Sequence, residues 1–215
     1  MSSVSKSSAF TTEQQAAYRT GALTRVFDFL SSLLGLLACS PLLGLIALAV
    51  KLDDGGPVFY SQDRVGRNFQ LFRLHKFRTM IRGADRHGLL TAPADSRRTR
   101  VGRVLRRYKL DELPQLFNVL KGDVQLVGTR PEVERYVQMY RPQYAILLQD
   151  RPGITDPASL AYRHEDQILS ADRLEQQYVS EVLPAKLALS LDYQQRRTFL
   201  SDLTILFRTA FRVLE

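Results

Sequence analysis

Between Asp28 and Lys51 the chain carries no charged residue: the block Phe29–Val50 reads FLSSLLGLLACSPLLGLIALAV. As a straight helix it would be roughly 33 Å long, close to the hydrocarbon thickness of a bilayer. A segment this apolar must be enclosed by protein or by lipid. A chain of 215 residues makes one compact domain, possessing too little mass to surround it, so insertion into a membrane is the expectation. The run is too long for the apolar region of a cleaved signal peptide and begins too deep in the chain. Ser40-Pro41 falls near its middle. Pro41 has no N–H, so the carbonyl near Leu37 loses its helical partner, and in lipid that orphan calls for a bend or a nearby Ser hydroxyl. A kinked spanning helix and a re-entrant hairpin of two short helices both satisfy these constraints. Arg19 and Arg25 before the block and Lys51, Arg64 and Arg67 after it make both flanks positive, which mildly favours one face for both ends.

Beyond this block the chain is ordinary globular material, with 45% hydrophobic and 24% charged residues. Its net charge of +8 and pI near 9.8 call for an anionic partner: nucleic acid, acidic headgroups or phosphorylated substrates. Cys39 is alone, so neither an intrachain disulfide nor a Cys-based zinc site can form, and its place in the apolar block reads as a small buried hydrophobe.

Residues 1–12 read as disordered and 13–28 as a helix leading into the membrane block. Asp53-Asp54-Gly55-Gly56-Pro57 breaks it. Val58–Ser61 and Phe69–Leu74 read as strands around Gly66-Arg67-Asn68. Helices are expected over Phe77–Arg86, Arg100–Tyr108, Leu110–Leu120, Glu132–Gln149 (interrupted at Pro142), Leu174–Val182, Ala185–Arg197 and Ser201–Leu214. His87–Arg98 reads as a polar loop with Pro93, and Arg151-Pro152-Gly153 as a turn. In the last helix Leu203, Leu206, Phe207, Ala210, Phe211 and Leu214 form an apolar stripe suited to a core or to a membrane interface.

The chemistry concentrates between Thr99 and Glu132. Asp111 and Glu112, neighbours on a helix, point about 100° apart, so they suit divided labour rather than a shared proton. An ionised carboxylate can attack phosphorus, and magnesium would offset its repulsion from phosphates. Alone, an Asp-Glu pair at a helix start is usually only compensation of the helix dipole. Here Arg103, Arg106 and Arg107 share one helix face just upstream, Arg130-Pro131 follows Leu126-Val127-Gly128, and His75-Lys76-Phe77-Arg78 closes the second strand. Arginines beside two carboxylates are what a pyrophosphate with a metal requires, although a salt-bridged surface or a headgroup patch has the same composition.

These residues resemble a known family. Asp111-Glu112-Leu113-Pro114-Gln115-Leu116, Asn118-Val119-Leu120-Lys121-Gly122-Asp123, Leu126-Val127-Gly128 and Arg130-Pro131 are similar to the bacterial sugar transferases, the monotopic phosphoglycosyl transferases of polyprenyl phosphate. Gly56-Pro57-Val58-Phe59-Tyr60, Gln62-Asp63-Arg64-Val65-Gly66, Lys76-Phe77-Arg78-Thr79-Met80 and Arg151-Pro152-Gly153-Ile154-Thr155 extend the match from about Thr24 to Thr155.

The resemblance implies that Asp111 attacks the β-phosphate of a UDP-sugar, that UMP leaves, and that polyprenyl (undecaprenyl) phosphate then takes the phospho-sugar from the aspartyl intermediate. It implies Mg²⁺ held by Glu112 with Asp111. Phosphate would be bound by Arg106, five residues before Asp111, and by Arg130, with Lys76 and Arg78 as further ligands. Ser40-Pro41 would be the break of a re-entrant membrane helix, on the cytoplasmic face of a bacterial inner membrane. Departures are Thr129 where Pro is common, Lys109 where Ser or Thr often caps the helix, and Asp156-Pro157-Ala158-Ser159 where many members have Gly-x-Ala-Gln. The second predicts a weaker cap, and the third a different sugar or uridine contact.

The fold expected is therefore mainly α with a small β element (α+β). A flexible or helical N-terminus (1–20) leads to a re-entrant helix-break-helix (21–52), then to a compact cytoplasmic catalytic domain (53–160). A C-terminal helical extension (161–215) packs on that domain or on the membrane face, with interfacial amphipathic helices. The expected partners are the UDP-sugar donor, the polyprenyl phosphate acceptor and inner-membrane lipids, with a homodimer left open. Nucleic acid is not expected, because no base-reading motif accompanies the charge. A non-catalytic membrane-surface module and a phosphatase that gives the intermediate to water are the competing readings. The apolar block argues against the phosphatase, since hydrolysing a soluble nucleotide-sugar needs no lipid acceptor.

Overall fold

The computed structural model describes residues 21–88, 90–91, 95–170 and 172–214. Residues 1–20, read above as the N-terminal segment, and Pro93 of the polar loop lie outside these.

The apolar block forms one helix, α1 (Ala22–Asp54), the described helix long and apolar enough to cross a membrane. Helical structure continues through Ser40-Pro41, so the expected division into two helices is absent. The chemistry at that point is the one anticipated: the Ser40 hydroxyl donates to the Leu37 carbonyl at 2.8 Å, serving the acceptor that Pro41 leaves without an amide partner. The helix ends at Gly55 (φ 71°), whose left-handed backbone aims its N–H at the Lys51 carbonyl.

Both ends of α1 pack on the rest of the chain. Thr24, Asp28, Ser32 and Leu36, four apart and so on one face, are buried near its start. There the Arg25 guanidinium donates to the Val119 and Leu120 carbonyls at 2.5 and 2.8 Å. Near the other end Ile46 and Val50 join a core with Phe77 and Leu105, and the Asp53 carboxylate accepts from the Val101 N–H at 2.9 Å. Between these anchors Leu37, Leu42 and Leu45 are exposed.

Strands β1 (Phe59–Val65) and β2 (Leu71–Phe77) form an antiparallel hairpin in register Phe59↔Phe77 to Val65↔Leu71. Both run further than expected, because Gln62, Asp63 and Arg64 sit on a hairpin that is only partly covered and need no apolar alternation. The helix expected over Phe77–Arg86 is absent. Phe77 completes β2, the Arg78 N–H pairs with the Val58 carbonyl at 2.9 Å, and helical turns appear only at Ala84–His87 as a 3₁₀ segment after the left-handed Gly83. This extended stretch lies hard against α2 (Arg100–Arg107): a Cβ on Gly102 would stand 2.1 Å from the Thr79 carbonyl oxygen. Thr99 caps α2, accepting from the Gly102 N–H at 3.0 Å.

Asp111 and Glu112 are not in the first turn of an α-helix. They occupy a 3₁₀ turn, Leu110–Glu112, ahead of α3 (Gln115–Lys121). The residue before that turn, Lys109, is left-handed (φ 55°) and its side chain makes no capping bond, in line with the weaker cap expected there.

Two short strands were not expected. β3 (Gln125–Val127) and β4 (Gly153–Thr155) pair in parallel. Each has three residues, and β3 is buried throughout, so neither shows a period. The expected turn at Gly153 is instead a point of backbone contact, where a Cβ would meet the Gly128 nitrogen at 2.1 Å.

Helices α4 (Glu134–Met139) and α5 (Arg141–Leu147) meet at Tyr140. After β4 come α6 (Pro157–Ala161), α7 (Glu165–Ile168) and α8 (Leu174–Gln177). A π-helical turn (Tyr178–Val182) joins α8 to α9 (Leu183–Arg196), merging two helices expected to be separate. The main core draws Val65 from the hairpin, Tyr136 and Tyr144 from α4 and α5, and Tyr178, Leu183 and Leu187 from the C-terminal part. Among the described side chains of α10 (Phe199–Leu214) the buried ones are Asp202 and Ile205, whereas Phe207 and Phe211 of the expected apolar stripe are 66% and 67% exposed.

Candidate active site

The end of β2, the 3₁₀ turn before α3 and the segment after β3 converge on Asp111 and Glu112, and their surroundings differ sharply. Asp111 is buried, and its Oδ1 accepts no hydrogen bond. Burial, reinforced by the charge of Glu112, pushes its carboxyl pKa up, while Lys76, Arg106 and Lys109 work the other way. Glu112 is clamped. Arg130 Nη1 donates to Oε2 at 2.9 Å, Arg130 Nη2 donates to Oε1, and Lys76 Nζ stands 3.6 Å from Oε1. Burial alone would raise Glu112, but Arg130 and Lys76 outweigh it and hold the carboxyl well below the usual range.

Each cation has a structural origin. Lys76 comes from β2, where burial draws its ammonium down to about 8 against the pull of Glu112. Arg130 follows β3 and also reaches the Ile154 carbonyl on β4 at 3.4 Å, so the parallel strand pair sets its position. Arg106 lies in the last turn of α2, bonds Thr91 Oγ1 at 3.2 Å, and is near enough to Asp111 to favour its ionised form. Arg103 and Arg107 of the same helix are exposed, Arg107 over the Tyr108 ring.

Arg78 is elsewhere. Both of its Nη atoms donate to Asp54, and Nε donates to the Pro57 carbonyl at 2.7 Å, fastening the end of α1 to the hairpin. Those contacts use three of its five N–H donors, and the side chain is 6% exposed.

Asp156, expected to mark an altered substrate contact, is fully buried. It caps α6 through the Ser159 N–H at 2.7 Å and accepts from the Ser190 hydroxyl at 2.6 Å, so it joins α6 to α9.

Two features escaped the sequence reading. Arg64 donates to the Pro131 carbonyl at 3.1 Å and to Glu132 Oε1 at 2.6 Å, and the Tyr178 hydroxyl holds Glu132 Oε2 at 2.7 Å. This strut pins the Arg130-Pro131-Glu132 segment from β1 and from the C-terminal half. Its only trace in sequence is Arg64 within Gln62-Asp63-Arg64-Val65-Gly66. Lys109, read there only as a poor cap, contributes a further positive charge beside both carboxylates.

Among the described residues no cluster of three or more His, Cys, Asp or Glu could by itself hold a metal ion. The pair Asp111 and Glu112 nevertheless fits magnesium, which takes one or two carboxylates and completes its shell with substrate phosphates and water. The buried Asp111 Oδ1 without a donor is the atom that such a cation, or a phosphorus centre, would satisfy.

The model of the family described as bacterial sugar transferase matches residues 19–215. The exopolysaccharide production protein ExoY of Sinorhizobium fredii is 36% identical over 205 residues, covering 88% of this chain and 84% of that protein. The UDP-glucose:undecaprenyl-phosphate glucose-1-phosphate transferase of Caulobacter vibrioides is 37% identical over 190 residues, 86% of this chain and 67% of the relative. The UDP-N-acetylgalactosamine-undecaprenyl-phosphate N-acetylgalactosaminephosphotransferase of Aeromonas hydrophila is 40% identical over 144 residues, 65% of this chain but only 34% of its own length.

Proposed function

The chain belongs to the bacterial sugar transferase family, and from that premise we propose that it moves a phospho-sugar from a UDP-sugar to polyprenyl phosphate, releasing UMP, at the cytoplasmic face of a bacterial membrane. Relatives named as undecaprenyl-phosphate sugar phosphotransferases support the reaction class. The observation that carries the mechanism is the contrast within the carboxylate pair: Glu112 is tied to Arg130 and Lys76, while Asp111 keeps a buried oxygen with no partner.

Asp111 is the nucleophile. Its carboxylate oxygen forms a bond to the β-phosphorus of the donor as the bond from that phosphorus to the bridging oxygen breaks, and UMP departs with the electron pair. An oxygen of the acceptor phosphate then attacks the same phosphorus and the carboxylate is released. Arg130, Lys76 and Arg106 bind and orient the phosphate oxygens, and Arg130 also fixes the Glu112 side chain. Asp111 and Glu112 would hold Mg²⁺, which when bound neutralises pyrophosphate charge facing the carboxylate. Purified protein given undecaprenyl phosphate, Mg²⁺ and a panel of UDP-sugars should release UMP with one or a few donors, and release should stop when EDTA removes the metal. UMP formed equally well without the lipid acceptor over many turnovers would favour hydrolysis instead.

The same reading makes α1 re-entrant. Arg25 near its start and Asp53 and Asp54 at its end are all fastened to one domain. A spanning helix would put those ends on opposite sides of about 30 Å of hydrocarbon. The exposed leucines between the anchors, with Ser40-Pro41 among them, form the part that dips into lipid. Exposed Phe207 and Phe211 on α10 extend that apolar surface into the interface, and Phe199 of α10 meets Phe27 of α1 edge-on at 5.3 Å. With Cys39 replaced by Ser, single cysteines placed in residues 1–20 and in β1 should both resist an impermeant reagent in intact cells. Labelling of the N-terminal site from outside sinks the re-entrant topology.

A further inference from the structure

Helix α2 packs on both α1 and the 3₁₀ turn that carries Asp111 and Glu112, and one side of it is left uncovered. At about 100° per residue the sides of the helix follow in a fixed order. Leu105 and Val101 face α1, in one core with Ile46 and Val50 near the end of the uncharged block. Next around the helix come Tyr108 and Val104, 40% and 54% exposed, which carry the apolar edge outward from that core. Arg100, Arg103 and Arg107 follow as an exposed row at i, i+3 and i+7. Arg78, Arg97 and Arg130 each clamp a carboxylate, but among the described residues none of these three has an ion-pair partner. The row ends at Arg107, from which only Tyr108, Lys109 and Leu110 separate Asp111.

Resting on the function proposed above, we infer that the row of Arg100, Arg103 and Arg107 binds the phosphate of the polyprenyl acceptor on its way from the bilayer to Asp111, with the start of the hydrocarbon chain against Val104 and Tyr108. The order of surfaces around α2 carries this assignment: a lipid-facing core, then an exposed apolar edge, then unpaired positive charge. A lipid phosphate has an apolar chain and an anionic head in that same order, so it matches both surfaces at once. A soluble nucleotide-sugar has no use for the apolar edge. Exposed arginines without carboxylate partners also hold a phosphate loosely enough to pass it on, whereas clamped ones would first have to give up their partners.

The test places the full chain in nanodiscs of phosphatidylcholine, which has no net charge, with undecaprenyl phosphate at known mole fractions. One variant combines Arg100→Gln, Arg103→Gln and Arg107→Gln, and a second puts Lys at the same three positions. The Gln variant should melt with the wild type, because the three side chains are exposed and unpaired. Its KM for undecaprenyl phosphate should rise roughly 10- to 100-fold, on the scale of about fivefold for each cation lost at a membrane surface. UMP released in the first turnover with donor alone should not change, since that step needs no acceptor. Lys should restore most of the loss, because a headgroup phosphate asks for charge more than for a fork. An unchanged acceptor KM in these neutral discs overturns the assignment and leaves the row as an anchor for acidic phospholipids. A first turnover slowed as much as the steady state puts the arginines on the donor and overturns it as well. A wild-type chain that releases no UMP from any UDP-sugar fails at an earlier step and removes the underlying function, and this assignment with it.

Discussion

Asp111→Asn should yield a folded, membrane-bound protein that transfers no phospho-sugar, with UMP release reduced by roughly 10³-fold or more, the scale on which enzymes lose rate when a covalent nucleophile is removed. The amide nearly matches the carboxylate in shape but cannot form the acyl phosphate. Stability should move the other way. Asp111 is buried, one of its oxygens has no donor, and burial already pushes its carboxyl toward the neutral form. Removing that charge costs the fold little, so the melting temperature should hold or rise, as is common where a site is built for chemistry rather than for stability. Glu112→Gln is the informative contrast. Its carboxylate is held by Arg130 and Lys76, so neutralising it strands two half-buried cations and should lower both activity and melting temperature. Intact-protein mass measured with donor alone, without acceptor, should show a phospho-sugar adduct on the wild type and none on the Asn variant. Wild-type UMP release by that variant would remove Asp111 from the mechanism.

Residues whose side-chain chemistry is local were legible in the sequence. The uncharged block, the Gly55 stop, the hairpin turn and the Ser40 hydroxyl serving the Leu37 carbonyl follow from rules about neighbours in the chain. The carboxylate pair with Arg106, Arg130 and Lys76 was legible for another reason: a long, ordered family pattern replaced the three-dimensional information that spacing lacks. What stayed hidden depends on contacts between distant segments. β3 and β4 are too short to show a period and exist because Gly128 and Gly153 let two backbones touch. Arg78 sits in the same motif as Lys76 but two residues along the strand end, and the chain turns there, so one side chain reaches Glu112 and the other reaches Asp54. Asp156 looked like an altered substrate contact because nothing local announces that Ser190 on α9 will meet it.

The largest effect on stability should come from Arg197, which no motif marks. Its side chain is 4% exposed. Nε donates to Asp202 Oδ1 at 2.8 Å and Nη2 to Asp202 Oδ2 at 2.9 Å, while Asp150 Oδ2 lies 3.6 Å away. The same guanidinium gives a 2.7 Å bond to the Val127 carbonyl on β3, three residues before Arg130. One cation thus joins α10, the end of α5 and the strand that leads into the site. Arg197→Ala would take the guanidinium away from buried Asp202 and Asp150, leaving Asp202 the Tyr193 hydroxyl at 2.7 Å as its side-chain donor. Breaking such a cluster by removing one partner costs about 3–5 kcal/mol, a large share of the roughly 5–15 kcal/mol that holds a domain folded. In detergent the melting temperature should drop by about 6–20 °C for a chain of this size. Arg197→Lys should recover only part, because a single ammonium cannot serve Asp202 in a forked geometry and Val127 at once. Adding Asp202→Asn to the Ala variant should restore stability relative to that variant, since the cost lies in the stranded carboxylate rather than in the missing side chain. If Arg197→Ala melts within a degree or two of the wild type, the buried cluster does not hold α10 against β3. The position of Arg130 would then have to come from the strand pair and the Arg64–Glu132 strut alone.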